Sequence, residues 1–182
     1  MFELGSMAPN YGAFFGGLRN LFVLKASALF APWQITPTGA TLVLTPEHWI
    51  PIELDYDKWE LSQATVEEKG GKLVESAVTG SFVNPTLGLI SATQALELHG
   101  VVVVCEDNEG QRWILGNKGQ PVRTLSKYNS NTGRIAPQML AISMTCKSRF
   151  GAVPYSFDLA QSYVAPGGGG NGGSSAGSGT PA

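Results

Sequence analysis

Nucleophilic hydrolysis by a serine needs a histidine held between the hydroxyl and a carboxylate, and this chain has two histidines to offer. His48 sits in Thr45-Pro46-Glu47-His48-Trp49, a turn leading into a strand. His99 closes a helical pattern, a place where an imidazole interacts with the last carbonyls. No Gly-x-Ser-x-Gly elbow accompanies either one. Acid and base work by paired carboxylates would fall to Asp55 with Asp57 or to Glu106 with Asp107. Both pairs abut turns, where carboxylates serve solvation and turn hydrogen bonding, and nothing in the pattern aims them into one cleft as a glycosidase dyad requires. Glu53, Asp55 and Asp57 could meet a hard cation but lack the spaced loop of a calcium site. Cys105 and Cys146 have no histidine or further cysteine nearby to complete a zinc site, and both read as buried strand residues. Gly116-Asn117-Lys118-Gly119 has neither the full phosphate-loop spacing nor a following helix, so it reads as a hairpin turn. The sequence therefore predicts no catalytic residue, no metal and no cofactor.

Composition narrows the partners. Of the 182 residues 43% are apolar but only 14% are charged, against a usual charged share of about 25%; a surface that poor in charge is in large part not meant for water. Twelve Lys and Arg against 14 Asp and Glu give no counterion-release drive toward nucleic acid. The scattered Arg112, Lys118, Arg123, Lys127 and Arg134 alternate with turns instead of forming a stripe, although in a ring they could line a lumen. No apolar run reaches the roughly 20 residues of a membrane helix, since Leu18 to Leu29 is broken by Arg19, Asn20 and Lys25. The start, Met1 to Pro9, lacks the basic and apolar regions of a secretory signal, which makes cytoplasmic synthesis the expectation.

The elements that would position any site are mostly strands. Residues 1–19 form an irregular arm in which Tyr11, Phe14 and Phe15 are interleaved with glycines, a pattern of neither an amphipathic helix nor a strand. These aromatics either pack on their own domain or anchor onto a neighbouring subunit. Residues 20–165 make a β-rich domain. Strands are expected at Leu21 to Leu24, Ala40 to Leu44 and Trp49 to Tyr56, the last starting late or lying at an edge because of Pro51. Trp59 to Val66 and Lys72 to Phe82 form a hairpin around Gly70-Gly71. The one helix covers 86–99, with an apolar stripe of Leu89, Ala92 and Leu96 joined by Leu87, Ile90 and Ala95, of a length to pack across one sheet. Val101 to Val104 and Arg112 to Leu115 pair across the turn at Asp107 to Gly110, followed by Val122 to Leu125 and by Met139 to Arg149, with Leu140, Ile142, Met144 and Cys146 facing inward. Residues 166–182 are a flexible Gly/Ser-rich tail. The fold class is mainly β (α+β), an antiparallel β-sandwich or barrel with one flanking helix.

At Val101-Val102-Val103-Val104-Cys105-Glu106-Asp107-Asn108-Glu109-Gly110-Gln111-Arg112-Trp113-Ile114-Leu115-Gly116, followed by Gln120-Pro121-Val122, Thr132-Gly133, Ser148-Arg149 and Pro154-Tyr155, the chain resembles small β-rich virion proteins of tailed bacteriophages, of tail-tube, tail-terminator and neck-ring type. The resemblance spans about residues 50 to 157 and is carried by structural turns; the Gly-aromatic arm and the Gly/Ser tail depart from it. It implies a sandwich or barrel flanked by a helix, assembled as closed rings around the DNA path. On that basis the expected role is a non-enzymatic structural subunit of the virion, whose partners are its own copies, neighbouring virion proteins and DNA passing through the lumen. The alternative is a monomeric β-sandwich that binds a carbohydrate or peptide through exposed Trp33, Trp49, Trp59 or Trp113.

Overall fold

The computed structural model describes residues 17–36, 39–54, 58–68, 71–130 and 137–164. Tyr11, Phe14, Phe15, Asp55, Asp57, Arg134 and the 166–182 tail lie outside them. Strands β1 (Leu18–Lys25), β2 (Ile35–Thr36), β3 (Gly39–Ala40), β4 (Ile50–Glu53), β5 (Trp59–Glu68) and β6 (Gly71–Val83) precede helix α1 (Leu87–Glu97). Strands β7 (Val101–Asp107), β8 (Arg112–Leu115), β9 (Arg123–Asn129), β10 (Met139–Ser148) and β11 (Val153–Pro154) follow it. They form a five-stranded sheet in the order β11-β8-β7-β1-β4 and a four-stranded sheet in the order β5-β6-β10-β9, every pairing antiparallel, with β2 and β3 as a small ribbon. The architecture is a β-sandwich with one helix among the described residues.

The core explains the sequence. Leu21, Val23, Val103 and Cys105 from the five-stranded sheet meet Val78, Phe82, Leu140, Ile142, Met144 and Cys146 from the four-stranded one. The inward alternation expected of β10 is therefore present, and all four of its named residues are buried. Strand β7 has no alternation because both of its faces are covered. Val101 and Val103 point to the other sheet, while Val102 and Val104 join a second cluster with Leu24, Leu29, Val43, Trp49, Ile114 and Tyr155. A central strand buried on both sides reads as a continuous β-branched run.

One turn and the start of the helix are fixed by side chains. The Asp107 carboxylate accepts from the amides of Glu109 and Gln111, each at 2.9 Å, and Gly110 at φ +82° closes the β7–β8 hairpin. Thr86 caps α1 by accepting from the Leu89 amide at 3.2 Å.

Two expectations need correction. Ala40 to Leu44 is not a strand beyond Ala40. Its amides and carbonyls are taken by loop partners: Thr41 N–H donates to Gln34 O, Val43 N–H to the Tyr155 hydroxyl, and Leu44 O accepts from Phe30 N–H. The segment is thus tied down as a cover over the back of the five-stranded sheet. Helix α1 does not bury its whole expected stripe: Leu89, Ile90 and Leu96 touch the core, but Leu87 is 82% exposed. The helix sits beside β9, where Glu97 accepts from the Ser126 amide.

Candidate functional site

Sequence reasoning named four kinds of reactive group, and the fold sends each to a separate task. Adjacent strand residues face opposite ways, so Glu106 and Asp107 diverge. Buried Glu106 accepts from Arg112 Nε at 2.7 Å and from Asn20 Nδ2 at 3.0 Å, tying β1, β7 and β8 together. Asp107 is engaged by its turn. The His48 ring stacks on Tyr163 with centroids 3.8 Å apart, far in sequence from exposed His99 at the end of α1. Among the described residues no three His, Cys, Asp or Glu gather where they could hold a metal. The Gly116 turn is closed by Asn117 Oδ1, which accepts from the Gly119 and Gln120 amides at 2.8 Å, while Lys118 Nζ donates to Leu29 O.

The cysteines lie in the core, as expected of strand residues. Burial pushes the Cys105 thiol up from its ordinary 9.0 to about 12, and burial raises that of Cys146 as well. A neutral buried thiol favours the fold at every pH below 9, and that contribution is lost as pH rises from 9 toward about 12, where the unfolded chain ionises first. The folded protein is therefore expected to leave both thiols unlabelled by a disulfide reagent at pH 8, with two per chain reacting once denaturant is added. Labelling of Cys105 at native stability would contradict its placement.

Of the four tryptophans two are buried and two, Trp33 and Trp113, are half-buried. Trp59 and Trp49 are buried at 2% and 9% exposure. Trp33 donates its indole N–H to Gly116 O at 2.6 Å, and Trp113 packs on the core. The expected exposure is corrected for Trp49 and Trp59, whose rings are claimed by packing in the two core clusters.

What the sandwich does present is edges. An edge strand offers unpaired backbone to any neighbouring chain unless it is short, interrupted by proline, charged or covered. Strand β4 has four residues including Pro51, and β11 has two including Pro154. Strand β9 carries exposed Arg123 and Lys127 and has α1 alongside, with Glu97 on the Ser126 amide. Strand β5 is charged only towards its ends, at Glu60 and Glu67, and has none of the other devices among the described residues. It runs ten residues, pairs with β6 without a register shift and carries exposed Ser62, Gln63, Ala64 and Thr65 in its middle. No proline or lysine interrupts it.

Compared with known proteins, the chain has no significant match to a family model, a curated protein or a solved structure. The surface must therefore be read on its own chemistry.

A second surface feature is a cleft of about 770 Å³ between α1 and the β4 edge. Its walls are Ile50, Ile52 and Leu54 on one side and Leu89, Ala92 and Leu96 on the other, with Phe82 and Ile142 also lining it. Exposed Lys25, Glu53 and His99 complete the lining. No helix among the described residues is long and apolar enough to cross a membrane.

Sequence reasoning missed both features. The cleft is assembled from separate stretches, and an open edge depends on strand order.

Proposed function

We propose that the chain is a non-enzymatic structural subunit of a tailed phage particle that assembles with its own copies into a ring enclosing the DNA path. The observation that carries the assembly is β5, a ten-residue edge that among the described residues has no proline, lysine, bulge or cover. The virion setting is supported by the turn-rich stretch from Val101 to Gly116 and its companions.

Charge favours a ring over a two-fold pair. Glu60 and Glu67 lie on β5, whereas Arg123 and Lys127 lie on β9 at the opposite side of the same sheet. Two β5 strands meeting each other would bring acid toward acid. A copy that offers its β5 edge to the part of the next copy's β9 edge that Glu97 does not occupy brings acid toward base, a heterologous contact that closes when the rotation divides a circle. The outer face of this sheet, with Ser62, Ala64, Ala77, Thr79, Ser143 and Thr145, would then face one side of the ring. The same face carries Glu60, Glu75, Arg123, Lys127 and Lys147, a near balance of charge that lets a polyanion pass without a strong grip.

Light scattering after size exclusion, followed by negative-stain imaging of the peak, tests the reading. Closed rings or short tubes are the expected result. A monodisperse species of 19.2 kDa at high concentration would count against assembly.

A further inference from the structure

The apolar cleft between α1 and β4 is too large and too greasy to be left to water: Ile50, in its wall, is 54% exposed. Its volume lies within the roughly 300–1,000 Å³ of binding pockets. What covers it can be argued from where the chain runs. Asn20 is opposite Glu53 and Val23 opposite Ile50, so β1 begins beside the Leu54 end of the cleft and runs toward the Ile50 end. Residues 1–16 precede that start. From Leu4 through Leu18 they contain no charged side chain, and Tyr11, Phe14 and Phe15 stand among Gly12, Gly16 and Gly17. Each such ring gains on the order of 150–250 Å² of contact when it finds an apolar wall.

We propose that the cleft is the receptor for the Tyr11–Phe15 segment of a neighbouring copy. This rests on the assembly reading above and names the surface that a subunit's arm would grip. Where the described chain begins, a side chain at Gly17 would meet Asn108, just beyond β7, and the Trp59 carbonyl, and β7 lies on the side of β1 opposite to β4 and the cleft. From Gly17 back to Tyr11 is roughly 20 Å of extended chain, enough to cross a subunit boundary. The occupant and the receptor match in chemistry, since an uncharged aromatic segment loses no ionic solvation on entering a cleft walled by Ile50, Ile52, Leu54, Leu89, Ala92 and Leu96.

The test uses the full chain with a benzophenone amino acid in place of Phe14. Unlabelled and ¹⁵N-labelled copies are dissociated, mixed in equal amounts, reassembled, irradiated and digested. Cross-linked peptides of mixed isotope content whose acceptor lies in 50–54 or 89–99 are expected. Ala92→Trp, which fills the cleft from an exposed helix position, should abolish them while leaving the melting temperature unchanged. Cross-links within one isotope only would mean that the arm folds back on its own subunit. Acceptors elsewhere, or a cleft filled by a co-purified amphiphile or foreign protein, would overturn the proposal equally. Light scattering on the same sample keeps the two readings apart: assembled copies without cleft cross-links refute the receptor alone, whereas copies that stay monomeric refute the assembly on which it rests.

Discussion

Of the two single variants Ala64→Pro and Thr65→Pro, one will stay folded and lose assembly, and the other will lose stability. In an antiparallel ladder successive residues direct their N–H groups alternately to the paired strand and away from it. Every residue of β5 from Trp59 to Glu68 has its partner on β6, and among the described residues no strand lies on its other side. Proline at the outward-facing position removes a donor that only a neighbouring subunit would use, an arrangement edge strands tolerate. Proline at the inward-facing position breaks a ladder bond and should cost about 1–3 kcal/mol. The expected pair of results is a variant that melts like the parent but elutes at 19.2 kDa, beside one that melts lower. If the stable variant keeps the parent's assembled mass, β5 is not the seam, and the ring reading loses its main support.

How much of this was legible before the fold was known differs by element, for physical reasons. The β5–β6 and β7–β8 hairpins were readable because their signals are local: Gly71, at φ +120°, and Asp107 to Gly110 mark the reversals, and the apolar alternation on β10 reports one buried face. The edge position of β4 was readable from Pro51 for the same reason. Thr41 to Leu44 misled because β-branched and apolar residues suit a cover over a sheet as well as a strand within one. Which of the two they become depends on whether the partners are Gln34, Phe30 and Tyr155 or another strand. The helix was placed correctly at 87–97 within the expected 86–99, but its stripe was over-read: Leu87 points to solvent because the chain leaves β6 through Asn84 at φ +50° and Pro85 before the helix reaches the core. Glu106 and Asp107 look like a pair in sequence and are not one in space. Neither the open side of β5 nor the cleft beneath α1 has any local signature, since both arise from strand order. The candidate site was therefore the least legible part of the molecule.

Replacing Trp59 is expected to be the most destabilising single change in the four-stranded sheet. The indole is 2% exposed, lies directly over Gly80 across the β5–β6 pairing, and meets Phe82 edge-on with centroids 5.1 Å apart. Truncating a buried ring of this size to alanine costs about 3–5 kcal/mol, which for a domain of this size lowers the melting temperature by roughly ten degrees. Trp59→Phe should cost much less, because it keeps a ring over Gly80 and removes a buried indole N–H that has no partner among the described residues. Gly80 is the other half of the contact. Alanine ordinarily stabilises a strand relative to glycine, but a Cβ at this position would run into the Trp59 ring, so Gly80→Ala should destabilise by about 1–3 kcal/mol. The two effects share one volume. In the double variant Trp59→Ala with Gly80→Ala the added methyl occupies space the indole has vacated, so its penalty should vanish or change sign. Denaturant titrations of the four proteins measure that coupling. Additive costs would mean that the ring and the glycine do not touch, and that the register joining β5 to the rest of the sheet differs from Trp59 opposite Gly80. Such a shift by one residue would turn every side chain of the proposed seam to the opposite face.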